Sequence, residues 1–220
     1  YFVINNDRLI QLECGRLLIP AALHRARLET TEMVREAFDG RGIAIFYFSD
    51  DGGQTWQESA DWWALPVRSS TGLQEPGVIE LEDGTLYCYC RTDTGRQWQM
   101  WSRDGGNTWT SPEPSRFESP RSPLSIKRIP STGDLLAVWN DAASRTEMPS
   151  DSSWGRTPLA LAISRDEARS WSESQLIEDD PRRGFCYVSM HFTDDAVLLG
   201  YQGGGRDGGV GSHGRGVPRH

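Results

Sequence analysis

No stretch of about 18 consecutive apolar residues occurs in this 220-residue sequence, which excludes a helical membrane span. Basic blocks are missing too. Lys and Arg number 23 against 31 Asp and Glu, a net charge of −8, so no nucleic-acid partner is expected. Histidine is scarce, and His24, His191, His213 and His220 show no metal-ligand spacing, so no metal site is expected. Cysteine is equally sparse. Cys88 and Cys90 lie two apart, on one face of a strand, where they cannot easily bridge each other, and Cys14 and Cys186 are distant in sequence. Buried free thiols are expected in place of a disulfide framework. No signal-peptide pattern leads the chain. It opens on Tyr1-Phe2-Val3-Ile4, strand-like and without Met, and the native N-terminus is expected to lie upstream. What the sequence does hold is 23 Gly, 12 Pro and nine Trp, a composition that suits an all-β protein with many turns.

One octapeptide comes back. Ser49-Asp50-Asp51-Gly52-Gly53-Gln54-Thr55-Trp56 recurs as Ser102-Arg103-Asp104-Gly105-Gly106-Asn107-Thr108-Trp109, and in worn form as Ser164-Arg165-Asp166-Glu167-Ala168-Arg169-Ser170-Trp171. A unit repeated every few tens of residues signals a stacked or radial array. Each copy follows a short apolar run, at 43–48, 98–101 and 159–163, that reads as a strand. The aspartate can accept hydrogen bonds from the turn backbone, the glycines supply positive φ, and the tryptophan packs back under the hairpin. Ser49, Asp51, Gly53 and Trp56, with Ser102, Asp104, Gly106 and Trp109 and with Ser164, Asp166 and Trp171, are therefore expected to be structural.

The remaining punctuation divides the chain into units at about 1–60, 61–120, 121–180 and 185–202. The first has strands at 9–12 and 17–21 around Glu13-Cys14-Gly15, then a polar insertion at 25–42 with a short helix at 31–38. The second has a hairpin turning on Glu82-Asp83-Gly84, and the third turns on Ser131-Thr132-Gly133-Asp134. The fourth has only two strands. From Gly203 the chain is rich in Gly and Arg without apolar pattern, and 203–220 is expected to be disordered.

The repeated octapeptide resembles the Asp-box of the sialidase (neuraminidase) superfamily. The resemblance covers about residues 5–202 and implies a six-bladed β-propeller, of which the chain would hold an incomplete set of three to four blades. It also implies that the boxes sit on the rim, away from the active centre. Sialidases release a terminal sialic acid, a sugar that carries its own carboxylate. Arginine forks clamp that carboxylate. The nucleophile is a tyrosine, because a neutral phenol approaches an anionic centre more readily than a carboxylate does. A glutamate takes the phenol's proton. No cofactor is needed.

Matched in order, Leu73-Gln74-Glu75-Pro76-Gly77 places Glu75 as that base, and Cys90-Arg91-Thr92 places Arg91 as a clamp arginine. Gly155-Arg156-Thr157-Pro158 places Arg156 as another. Cys186-Tyr187-Val188-Ser189-Met190, ahead of Asp194-Asp195, places Tyr187 as the nucleophile. His24, after Pro20-Ala21-Ala22-Leu23, is a candidate sugar contact, as are Asn6 and Asp7. Asn140 and Asp141 are read as turn residues, Glu80, Glu82 and Asp83 as hairpin surface, and Arg96 as rim.

Two family elements are unmatched. The first clamp arginine normally stands in an Arg-Ile-Pro motif with an Asp acid downstream; Arg16-Leu17-Leu18-Ile19-Pro20 is only superficially similar, because Arg16 follows the Gly15 turn. The family's closing glutamate is replaced by Tyr201-Gln202. The expected function is an exo-α-sialidase-like hydrolase acting on a sialylated glycan or another acidic sugar, with little activity in this stretch alone. The alternatives are a non-catalytic propeller that binds glycans or protein, and a purely structural scaffold.

Overall fold

A computed structural model describes residues 1–26, 38–205 and 209–218. The chain divides into two compact units, Tyr1–Thr94 with Trp98–Ser115, and Gly95–Gln97 with Arg116–His220.

In the first unit, one sheet runs β1 (Phe2–Val3), β3 (Leu17–Ala26), β4 (Phe38–Ser49), β5 (Gln57–Glu58), with β2 (Ile10–Gln11) also pairing β3. All pairs are antiparallel, and His24 faces Gly42 across β3 and β4. A second sheet runs β6 (Gln74–Glu80), β7 (Leu86–Arg91), β8 (Arg96–Ser102), β9 (Glu113–Glu118), its far corner belonging to the second unit. Leu18, Phe46, Leu73, Leu86, Cys88 and Met100 fill the core between these sheets. Every residue of β7 is buried, as expected of a central strand covered on both faces.

The second unit holds two sheets of the same kind. One is β10 (Ser125–Arg128), β11 (Leu135–Asn140), β12 (Leu159–Ser164), β13 (Gln175–Glu178); the other is β14 (Gly184–Phe192), β15 (Ala196–Gly205), β16 (Gly209–Pro218). Val138, Leu159, Leu161, Phe185, Met190 and Leu199 form its core. The Ser125 hydroxyl reaches across to donate to the Val188 carbonyl at 2.9 Å.

The four sheets span 2–58, 74–118, 125–178 and 184–218, and short strands such as Gln57–Glu58 and Glu113–Glu118 carry no apolar run. Two expectations meet a different outcome, and a third is not tested. The stretch from Gly203 pairs as strand: β15 continues to Gly205, and Gly209–Pro218 lies antiparallel beside it. Ladder hydrogen bonds come from backbone and need no apolar alternation. Cys14 is exposed in its turn, whereas Cys88, Cys90 and Cys186 are the buried free thiols expected; burial pushes the Cys88 thiol well up. The helix expected at 31–38 lies outside the described residues except for Phe38, which opens β4.

The three boxes share one hydrogen-bond pattern. Ser49 Oγ donates to Asp51 at 2.8 Å and accepts from Gly53 N at 2.9 Å, while Asp51 accepts from Thr55 N at 2.9 Å and Thr55 Oγ1 at 2.6 Å. Asp104 and Asp166 repeat this with Thr108 and Ser170. The worn third copy keeps the backbone shape without glycine, holding Glu167 at φ 58 and Ala168 at φ 63. The tryptophans differ in surroundings. Trp109 stacks on Phe46 of the preceding sheet at 4.0 Å, and Trp171 meets Phe117 of the preceding sheet at 5.1 Å. Trp56, whose sheet is the first of the four, is 38% exposed and keeps only the local pattern, donating to Gly53 O at 3.1 Å.

Candidate active site

Glu75 sits where β6 leaves its ladder. Gln74 pairs with Arg91 and Gly77 with Tyr89, so Glu75 and Pro76 together oppose Cys90 alone, a two-on-one bulge. Glu75 takes φ 49 there, the left-handed region that non-glycine residues seldom enter. The bulge points its carboxylate at the end of β7, where Arg91 Nη1 donates to Glu75 Oε1 at 2.5 Å. Both side chains are about nine-tenths buried, at 9% and 11% exposure.

The bulge is braced from behind. A Cβ on Gly77 would lie 2.4 Å from the Tyr89 ring, so the ring packs directly on bare backbone. The Tyr89 hydroxyl accepts from Arg8 Nη1 at 2.9 Å, and the Arg8 guanidinium lies 5.2 Å from the ring centre. Arg8 is 4% exposed. Its neighbours Asn6 and Asp7 are the candidates that the sequence offers in this segment. These are exposed in the turn between β1 and β2, where Asp7 has φ 62. Only the adjacency to that turn hinted at Arg8, because its partner stands 81 residues away.

His24 is buried at the end of β3, with Nδ1 against the Asp39 carbonyl at 3.2 Å. Burial lowers its pKa; the Asp39 carbonyl opposes this, and the Asp39 and Glu75 carboxylates oppose it more weakly.

Tyr187 repeats the Glu75 arrangement in the second unit. Cys186 pairs with Gln202 and Ser189 with Gly200, so Tyr187 and Val188 oppose Tyr201 alone, and Tyr187 has φ 57. Arg156 lies over the Tyr187 ring, its guanidinium carbon 5.5 Å from the ring centre. Its Nη1 also donates to Cys186 Sγ at 3.0 Å. The Arg156 backbone is held by a collar. Arg145 donates to the Gly155 carbonyl at 2.5 Å and to the Thr157 carbonyl at 2.8 Å, while Asn140 Nδ2 and Phe185 N each donate to the Arg156 carbonyl at 2.8 Å. Asn140 thus steadies Arg156, although the sequence suggested a turn. Asp141 does cap its turn, accepting from Ala143 N at 3.1 Å and from Ser174 Oγ at 2.7 Å. Arg145 went unrecognised because the loop around it carries no pattern. A cavity of about 330 Å³ opens beside Arg156, Trp154, Cys186 and Gln202.

The other assignments are peripheral. Glu80 accepts from Glu13 N at 2.8 Å, Asp83 accepts from Thr85 N at 2.9 Å, and Arg96 pairs with Glu118 at the exposed edge at 3.3 Å. Arg16 is a hairpin residue, forked onto Asp50 at 2.7 and 2.8 Å. Among the described residues no cluster of His, Cys, Asp and Glu could hold a metal, and no helix is long and apolar enough to cross a membrane.

Four antiparallel sheets with box turns between strands, and strand-end bulges presenting polar groups, define a sialidase-like BNR/Asp-box fold, an incomplete set of propeller blades. The chain belongs to the BNR repeat-like domain family, which matches residues 3–200. A protein of unknown function from Dyadobacter fermentans is similar in structure, with 20% identity, TM-score 0.71, and coverage of 98% of this chain and 54% of that one. The Trypanosoma rangeli sialidase, in complex with the inhibitor DANA, has 19% identity and TM-score 0.69, with 98% of this chain and 32% of that one covered. A mutant NanB sialidase from Streptococcus pneumoniae has 20% identity and TM-score 0.61, with 88% and 26% covered. This chain thus spans between about a quarter and about half of these structures. No curated protein matches it in sequence.

Proposed function

We propose that this chain carries the nucleophile and two clamp arginines of a retaining exo-α-sialidase-like glycoside hydrolase acting on a terminal sialic acid or a related acidic sugar. One observation carries the reading. Among the described residues, Asp7, Glu75, Trp154, Glu167, Ala168 and Tyr187 have positive φ without being glycine, and of these only Glu75 and Tyr187 lie inside strands. Each opens a two-on-one bulge in its own sheet. Left-handed backbone of this kind costs about 1–3 kcal/mol per residue and collects at functional sites. These two residues are also the ones that the family resemblance assigns to chemistry. The Trypanosoma rangeli sialidase has been captured with 2,3-difluorosialic acid as a covalent intermediate, which makes a covalent step a natural one for the fold.

In this reading the Tyr187 oxygen attacks the anomeric carbon as the bond to the leaving oxygen breaks, and its proton passes to a base, the role that the family resemblance assigns to Glu75. Water then cleaves the glycosyl–tyrosine bond, returning the phenol. Binding of the sugar carboxylate is the role that the resemblance assigns to Arg91 and to Arg156. The leaving oxygen needs a proton from an acid. The resemblance assigns that role to an aspartate with no match in the 220 residues, so the stretch alone should turn over little.

Hydrolysis of a fluorogenic sialoside by the full-length protein tests this. Tyr187→Phe should lower kcat by about 10³-fold and Glu75→Gln by about 10²-fold, while Arg156→Ala should raise KM. Turnover by Tyr187→Phe equal to wild type would remove the nucleophile assignment. Binding of sialic acid without any turnover would favour a glycan-binding propeller.

A further inference from the structure

A second cleft, in the first unit, is lined by none of the residues assigned to that chemistry. Its volume is about 330 Å³, and Arg25, Arg41 and Arg68 line it with one carboxylate, Asp39. Asp39 is already engaged, accepting from Arg41 Nη2 at 2.7 Å and Nε at 2.9 Å. Three guanidinium groups against one carboxylate leave a local excess of two positive charges, in a chain whose net charge is −8. Leu65 and Val67 add an apolar wall, with Val67 47% exposed.

The backbone around the cleft is tied together. Asp93 ties the Arg68 loop: it accepts from the hydroxyls of Ser69 and Ser70, from Ser70 N at 2.9 Å and from Thr71 Oγ1 at 3.2 Å. The loop is then riveted to β4 beside Arg41. Gly42 N donates to the Thr71 carbonyl at 2.7 Å, and Leu73 N donates to the Gly42 carbonyl at 2.9 Å. A Cβ on Gly72, which has φ +61, would fall 2.3 Å from the Gly42 oxygen, so the two chains cross at bare glycines. This crossing holds the Arg41 and Arg68 backbones in fixed register. Guanidinium forks suit planar or tetrahedral oxyanions, and an apolar wall suits the face of a sugar ring.

We infer that this cleft binds an anionic saccharide, through a carboxylate or sulfate seated among Arg25, Arg41 and Arg68. The inference stands independently of the hydrolase reading. Titration calorimetry of the 220-residue chain at low salt tests it with three probes: a sulfated heparin-derived disaccharide, α2,8-linked disialic acid, and neutral lactose. One or both anionic probes should bind and lactose should not; which of them binds distinguishes sulfate from carboxylate recognition. The Arg25→Ala/Arg68→Ala double variant should weaken binding by about tenfold or more, the scale of one lost charge-assisted contact. Arg103→Ala, an exposed arginine in a box turn, should bind as wild type does. Absence of binding by either anion would overturn the inference. So would an equal loss in Arg103→Ala, which would mean unspecific surface attraction, or a loss confined to Arg91→Ala, which would put the ligand at the Glu75–Arg91 pair.

Discussion

Ala168 and Glu167 show how a single position can keep a motif's shape while losing its residue. The first two boxes place glycine at the equivalent points, Gly52 and Gly53 at φ 72 and 90, and Gly105 and Gly106 at φ 68 and 88. The third accepts side chains there. Ala168 gains nothing visible in exchange, whereas Glu167 holds Arg128 in a two-pronged bond at 2.7 and 2.8 Å. Ala168→Gly should therefore stabilise the protein by about 0.5–1 kcal/mol by relieving left-handed backbone. Glu167→Gly gives up the Arg128 fork and should bring no net gain. Urea unfolding of the two variants measures the contrast, and an Ala168→Gly protein less stable than wild type would refute the strain argument. The box positions were legible because their hydrogen bonds span four residues or fewer. Arg8, Arg145 and Arg128 were not, because each owes its role to a group distant in sequence.

At the scale of the element, the bulges matter more than the strands that hold them. The sequence marks β6 and β14 as strands, yet a two-on-one mismatch follows from how a strand meets its neighbour, not from its own residues. The Pro76-Gly77 step is the nearest to a local signal, and Gly77 has a plain reason to be glycine. A Cβ there would enter the Tyr89 ring, and the ring is held by Arg8. Gly77→Ala should cost about 1–3 kcal/mol, the usual penalty for overpacking a filled site. Adding Tyr89→Leu, which removes the ring atoms in the way, should recover part of that loss in a double-mutant cycle. Purely additive losses would show that the ring is not what excludes the side chain.

For the molecule as a whole, the recurrent boxes tie stability to acid. Asp51 is held down to about 2, chiefly by the Thr55 hydroxyl, then by the Thr55 and Ser49 groups around it. Asp166 is lowered in the same way by Ser170. For Asp104 burial works in the opposite direction, and the Thr108 and Ser102 bonds outweigh it. A carboxyl whose folded pKa lies below its unfolded value of about 3.9 contributes stability that is complete above that value and is lost as pH falls through the folded one. The melting temperature should accordingly fall between about pH 4 and pH 2. Asp51→Asn should melt lower than wild type at pH 7 and show a shallower acid decline. An unchanged melting temperature at pH 7 would mean that the Asp51 bonds merely replace bonds to water.

Residue order by itself determined the repeated turn, the four strand groups, and the succession of Glu75, Arg91, Arg156 and Tyr187 along the chain. Those features rest on short-range chemistry: a hydroxyl and a carboxylate folding back on the next few amides, glycine at positive φ, and apolar runs bounded by turns. Tertiary structure alone decided that Glu75 and Tyr187 sit in left-handed bulges, that Arg8 is buried beneath Tyr89, that Trp109 is covered while Trp56 is not, and that Arg41 and Arg68 face one cleft. Each depends on which surface a distant segment brings close. Burial and ion pairing are properties of that meeting, and no local propensity encodes it.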